Sequence, residues 1–340
     1  MKCNIQSIKT GDVYHMNFKI ELNRRILDAG FSEVRFLKDN EPENSIVIAA
    51  FPYSVNQNYS KRGVKISPFA QKNHYGEAIK RLKKIALFVR ENSSLTKKDI
   101  RLFCNSQLQE KWFAANSGLG FYGRNSLIIT KDAGSRVILA GMILPIDIAP
   151  DKRLDNGINP GALCGSCRIC MNTCPTAAIG QSGIINREKC LQSLTTDDRI
   201  LPESIMGKWG NRLYGCSICQ DCCPFNIRNL KFENSENIKG VLGDSVPIDF
   251  ILRADDAQLK EFFKGTALSM SWIKFDLLRR NALLSASSME GADLLDILGQ
   301  FKEHKTIGYA ARWSIKKITE QPNKAPTRSA AKSLNSIILP

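Results

Sequence analysis

Nine of the 11 cysteines in this 340-residue chain fall between Cys164 and Cys223, and only Cys3 and Cys104 lie outside that window. Thiols crowded this closely share a purpose, and the compartment decides which. The opening MKCNIQSIKTGDVYHMNFK lacks the apolar core of a secretory signal, and no stretch approaches 18 uninterrupted apolar residues. These features predict a cytoplasmic protein that does not enter a membrane. In a reducing cytosol a cysteine cluster points to metal binding or catalysis rather than to disulfides.

Spacing narrows the metal. Cys164-x2-Cys167-x2-Cys170-x3-Cys174-Pro175 follows the bacterial ferredoxin run. Two-residue gaps bring three thiolates onto three irons of one cube. The fourth cysteine, beyond a three-residue gap and stopped by proline, serves a second cube. Cys216-x2-Cys219-x3-Cys223-Pro224 supplies three more ligands, and Cys190 is the natural eighth. We assign Cys164, Cys167, Cys170 and Cys223 to one [4Fe–4S] cluster and Cys174, Cys190, Cys216 and Cys219 to the other. Cys222 adjoins Cys223 and competes for its place, although the cysteine-proline step favours Cys223. Two structural zinc sites remain the alternative, because C-x2-C knuckles also bind zinc.

The rest of the chain reads as a globular protein of two or three domains. With 43% hydrophobic and 24% charged residues, general disorder is excluded. Residues 17–31 carry helical spacing, SIVIAAF (45–51) reads as a buried strand, and Glu77–Glu91 is amphipathic with Ile79, Leu82, Ala86 and Val89 on one face. SLIITK (126–131) and RVILAGMIL (136–144) are two further strands. The expected organisation is an α/β (α+β) unit over 1–150, a ferredoxin-like two-cluster unit over 151–235, paired amphipathic helices as in a helical repeat over 236–325, and a loose tail over 326–340.

Beyond the cysteines, CGSCRICMNTCPTAAI, REKCLQSLTTDDRI and GNRLYGCSICQDCCPFN resemble the iron–sulfur half of the epoxyqueuosine reductase family. The upstream stretch FCNSQLQEKWFAANSGLGFYGRNSLI is similar to it too, and ISPFAQKNHYGEAIKRLKKIA more faintly. SWIKFDLLRRNALLSAS and AARWSIKKI look like its HEAT-like helical tail. The resemblance runs in order from about residue 20 to 320. It implies cobalamin held by the α/β unit and fed by two [4Fe–4S] clusters, an oxidoreductase activity that reduces an epoxide on a modified tRNA base to an alkene, and a tail that binds tRNA. It also implies an electron donor such as ferredoxin or flavodoxin; we expect the protein to act as a monomer.

Carried over residue by residue, Gly118, Gly120, Gly123, Arg124 and Asn125 become a cofactor-contacting turn, and Ser193 and Thr195 fall near the cofactor. The glycines permit close backbone approach and Arg124 suits a phosphate or amide group. Read without the resemblance, GLGFYG is a plain turn, and Ser193 and Thr195 are a polar helix surface. G-x-G-x-x-G here precedes a strand instead of following one, so a Rossmann reading fails. His15, His74 and His304 each lack an Asp two residues before, so any cobalamin is expected without a D-x-H histidine ligand.

The departures cluster at the expected pocket. The family's presumed proton-donor aspartate falls on Cys104, which either donates a proton, contacts cobalt, or is an inert buried thiol. Its Asp-Tyr-His falls on His74-Tyr75-Gly76, its Leu-Gly-Glu on a stretch without a carboxylate (Leu139, Ala140, Gly141, Met142), and its Cys-Pro-Trp on Cys223-Pro224-Phe225. Kept ligands with a changed pocket leave two alternatives: a reductive-dehalogenase-like reductase of a small molecule, and a two-cluster electron carrier without cobalamin.

The formal net charge of +15 drops to about +11 once eight thiolates and two oxidised cubes are included. Residues 71–124 hold 11 basic and 4 acidic residues, and 251–340 hold 14 and 9. Both patches suit the phosphates of a tRNA, and a solvated surface explains them as well.

Overall fold

The structure, a computed structural model, describes residues 11–39, 44–54, 63–228, 242–243, 245–289 and 293–320. Cys3 and the expected tail over 326–340 lie outside the described residues.

The first unit contains α1 (Gly11–Asp28), β1 (Glu33–Lys38), β2 (Ser45–Pro52), β3 (Gly63–Ile66), α2 (His74–Glu91), β4 (Arg101–Cys104), α3 (Glu110–Asn116), β5 (Gly120–Tyr122), β6 (Ile128–Thr130) and β7 (Val137–Leu144). Four strands form one sheet in the order β1-β2-β7-β4, and every pair in it is antiparallel. The unit is therefore of the α+β kind.

β2 is buried along its whole length because both faces are covered. Val47, Ala49 and Phe51 join the core with Leu22 and Ile26 of α1 and Leu82 and Val89 of α2. Ile46, Ile48 and Ala50 alternate onto the other face, against Ala114 and Ala115 of α3. Each large apolar side chain buried this way contributes about 1.5–3 kcal/mol. α2 begins a turn earlier than its apolar pattern suggests, because Asn73 caps it by accepting from the Gly76 N–H at 2.9 Å. Its buried stripe is Ala78, Leu82, Ile85 and Val89, with Ile79 and Ala86 at the margin.

The cysteine segment is built from short pieces: α4 (Ile169–Thr173), α5 (Leu191–Leu194), α6 (Glu203–Met206), β8 (Arg212–Tyr214), α7 (Ile218–Asp221) and α8 (Pro224–Arg228). After it come β9 (Ser245–Pro247), α9 (Ile248–Arg253), α10 (Asp256–Phe262), α11 (Phe275–Ala286), α12 (Asp293–Gly299) and α13 (Gly308–Thr319). α11 packs on α9 and α13, and α12 on α13. A small sheet, β8-β3-β9, takes one strand from each of the three expected stretches. Val64 and Ile66 accordingly share a core with Leu191, Trp209, Leu278 and Trp313. The three stretches interlock at this sheet, which no local hydrophobic pattern announces.

Candidate functional site

Each cysteine run folds as a turn followed by one turn of helix. Cys164 accepts the Cys167 N–H through its carbonyl at 3.1 Å, α4 follows, and Pro175 prevents it from continuing past Cys174. α7 repeats the arrangement between Cys216 and Cys223 and packs on α4. Sulfur is already a hydrogen-bond acceptor here: the Arg124 N–H points at Cys164 Sγ (3.4 Å) and the Ala178 N–H at Cys174 Sγ (3.3 Å). Such amides favour thiolates, the form that binds iron.

The thiols neighbour one another closely, and Cys170 and Cys222 stand among the neighbours of Cys219 as well. Burial and then the neighbouring Cys222, Cys164, Cys223 and Cys167 push the Cys170 thiol up to about 11. Burial raises Cys190 too, with Cys216 and Cys174 beside it, and it raises Cys219, whose first charged neighbours are Cys216 and Cys190. Cys223 is buried against Phe121 and Ile129 with Cys164 packed on it. Cys222 faces Cys170 but is engaged by the Thr173 hydroxyl.

Neighbouring elements fix these turns. The Arg124 guanidinium donates to the carbonyls of Cys167 (3.1 Å), Gly165 (2.9 Å) and Gln181 (3.2 Å), and Asn125 Nδ2 donates to the Cys219 carbonyl at 3.3 Å. Gln220, just past Cys219, donates to Tyr53 Oη (3.0 Å) and the Ser135 carbonyl (2.8 Å). Asn226 closes the network by donating to Ser135 Oγ and the Gln220 carbonyl. On the other side, buried Arg280 of α11 donates to the carbonyls of Leu194 (2.7 Å) and Asp197, and Asn281 to those of Thr195 (2.9 Å) and Leu213 (2.8 Å). A fully buried guanidinium is tolerated because carbonyls and the Asn281 amide oxygen satisfy it.

A cleft of about 740 Å³ opens beside the second thiol group, and all four of Cys174, Cys190, Cys216 and Cys219 line it. Tyr53, Phe69 and Tyr75 give it an aromatic floor, and Asn105, Lys111 and Arg187 supply polar groups. Burial pushes the Tyr53 hydroxyl up to about 12 and raises Tyr75 as well, so both stay protonated. Burial and the nearby Arg187 charge lower Lys111 from its ordinary value, while its ammonium donates to the Ser126 carbonyl at 3.0 Å.

The structure distributes the sequence-derived candidates unevenly. Asn125 and Ser193 line the cleft. Thr195 does not: it is buried and its hydroxyl accepts the Gly215 N–H at 3.2 Å, and Thr196 takes the lining position. The GLGFYG glycines stand at close packing contacts and are not among the cleft-lining residues. Gly118 has φ of +76° with its Cα against the Lys152 carbonyl, a Cβ on Gly120 would meet the Ile129 carbonyl at 2.6 Å, and one on Gly123 the Ile129 side chain. Arg124 is spent on the cluster turn. Cys104 ends β4 opposite Ala140, and burial followed by the Glu110 charge pushes its thiol up to about 12. The next residue, Asn105, with φ of +50°, is the one that faces the cleft. Lys111, Arg187 and Tyr53 had no motif to mark them. His74 is 1% exposed between the Phe51 and Tyr53 rings, and burial brings it down to about 4, neutral at physiological pH.

Comparison with known proteins agrees with this geometry. Residues 163–226 match the 4Fe-4S double cluster binding domain family, and the zinc alternative gives way to that match. An epoxyqueuosine reductase of Prochlorococcus marinus is 31% identical over 248 residues, covering 70% of this chain and 74% of the relative. One from Bacillus cereus is 29% identical over 329 residues, covering 88% and 82%. The fold matches a crystal structure of epoxyqueuosine reductase with an epoxyqueuosine-modified tRNA stem loop, at a TM-score of 0.76 and 24% identity over 89% of this chain and 91% of that one. The double-cluster segment, the cleft beside it and these matches along most of the chain agree: this chain belongs to the epoxyqueuosine reductase family.

Proposed function

We propose that this protein is an oxidoreductase that reduces the epoxide of epoxyqueuosine in tRNA to the alkene of queuosine. The reaction consumes two electrons and two protons and releases water. The observation that carries the reading is the cleft whose wall is the complete second thiol set: a substrate seated there touches the end of an electron relay. The carrier and small-molecule alternatives lose their ground to the family match and to this cleft.

The cleft also suits cobalamin, which supplies a low-potential metal centre when bound. Tyr53, Phe69 and Tyr75 offer apolar faces, and Asn105, Asn125, Ser193 and Thr196 offer hydrogen bonds to amide groups around a flat macrocycle. Among the described lining residues there is no histidine. Lys111 is the best-placed acid: a depressed pKa makes its ammonium a readier proton donor, and its hydrogen bond to Ser126 aims it. Cys104, one residue behind the lining Asn105, supports that turn from the core side.

The assigned ligands are Cys164, Cys167, Cys170 and Cys223 for the outer cluster and Cys174, Cys190, Cys216 and Cys219 for the inner one. The paired C-terminal helices, read as a HEAT-like repeat, and the basic stretch over 71–124 offer shape and charge to the tRNA. Binding of cob(II)alamin to the anaerobically reconstituted protein, followed by its EPR signal, tests the cofactor assignment. An unchanged signal would remove cobalamin from the account.

A further inference from the structure

The two thiol groups differ in what lies over them. The inner group lines the cleft, whereas Cys164, Cys167 and Cys170 of the outer group are part-exposed in a segment whose Leu163, Arg168 and Ile169 are exposed. Of the 14 large hydrophobic side chains exposed among the described residues, five fall between residues 154 and 184: Leu154, Ile158, Leu163, Ile169 and Ile184, each 39–69% exposed. A soluble surface rarely gathers so many without a partner.

Backbone contacts bring these segments side by side. The Tyr122 N–H donates to the Gly157 carbonyl (2.9 Å), and the Gly161 N–H to the Tyr122 carbonyl (2.9 Å). Gly183 abuts Pro160, and Arg124 joins Gly165, Cys167 and Gln181. Lys152, Arg153 and Arg168 are exposed on the same segments, and among the described residues none of them is paired with a carboxylate.

We propose that this face, residues 152–169 with 181–184, docks a small acidic electron-carrier protein whose redox group presents an apolar edge, the chemistry of a flavodoxin. A second copy of this chain is a poor occupant, because the chain carries +15 and the face is basic. An acidic carrier is attracted by both, and its flavin edge fits an apolar face that carries three exposed cations, Lys152, Arg153 and Arg168, against one exposed carboxylate, Asp155. Each encounter passes one electron from the reduced flavin to the outer cluster and leaves the carrier one electron more oxidised. Two encounters supply the two electrons that, with two protons, turn the epoxide into an alkene and water. The inference rests on the relay reading given above.

The test uses holo protein and an acidic flavodoxin as the probe, reading affinity by calorimetry and cluster reduction by stopped-flow absorbance. R153E/R168E should weaken binding and slow reduction about tenfold or more, and Ile158→Ser should weaken binding several-fold. Binding to the unmodified protein should fall steeply with salt. Lys260→Glu, a charge reversal on α10, should leave both readouts unchanged. Arg153→Glu alone, away from the ligands, keeps the test valid if the double variant loses iron. Absence of flavodoxin binding, or an equal loss in Lys260→Glu, overturns the docking face. Turnover with dithionite bypasses the carrier: if it fails in the unmodified protein while docking behaves as described, the proposed reaction falls and the docking face stands.

Discussion

Gln220 Nε2 donates to the Ser135 carbonyl oxygen at 2.8 Å across 85 residues of chain, and this bond joins the turn that holds Cys219 to the β6–β7 turn that lines the cleft. The same amide group bonds Tyr53, and Asn226 bonds both Gln220 and Ser135. The inner thiol group is positioned by the α+β unit through this buried network rather than by its own loop alone.

Gln220→Ala should therefore cost about 2–3 kcal/mol, because it leaves the Ser135 carbonyl and Tyr53 hydroxyl buried without their donor or acceptor. A lowered melting temperature with earlier loss of the iron–sulfur absorbance is expected. Gln220→Glu should be worse, since it buries a carboxylate facing the Ser135 carbonyl.

The spare thiol can be told from the ligand by iron analysis. Cys223→Ala should lose the outer cluster, and Cys222→Ala should keep both, because Cys223 packs on Cys164 while Cys222 is held by Thr173. Equal iron loss in the two variants would place Cys222 among the ligands.

His74 gives a signed pH dependence. Its folded value of about 4 lies below the ordinary 6.5, so the unfolded chain binds the extra proton first as the pH falls. The full contribution is present above about pH 6.5 and is lost progressively toward pH 4, reaching about 3 kcal/mol. His74→Phe should flatten that part of the pH–stability curve relative to the unmodified protein, measured as the difference between their unfolding midpoints.

Cys104 and Lys111 divide the roles of the changed pocket. A thiol pushed up to about 12 is protonated at neutral pH and resists alkylation, and it does not line the cleft. Cys104→Ala should leave turnover within a few-fold, whereas Lys111→Met should lower it at least tenfold. With Lys111 as donor, turnover should fall as the pH rises through its lowered pKa. A tenfold loss in Cys104→Ala, with normal clusters, would return the proton to the thiol.

Much of this was legible in the sequence where the signal is local. The cysteine spacing marks the double-cluster segment, the β-branched run at 45–51 marks a buried strand of the main sheet, and helical periodicity marks the C-terminal helices, α10 through its Asp255–Gln258 capping box. The small β8-β3-β9 sheet was not legible, because three-residue to four-residue strands carry no period and pair across most of the chain. That the glycines of GLGFYGRN meet Lys152 and Ile129 and that Arg124 donates to the Cys167 carbonyl was not legible, because it depends on what the fold places opposite each residue. Lys111 and Arg187, 76 positions apart, became visible only when the fold brought them to one cleft.

The central claim is tested most directly by product formation. Anaerobically reconstituted protein, with cobalamin and a chemical reductant, should convert epoxyqueuosine-containing tRNA to queuosine-containing tRNA, read by mass spectrometry of the nucleosides. Unchanged epoxyqueuosine in the presence of reduced clusters and bound cobalamin would contradict it.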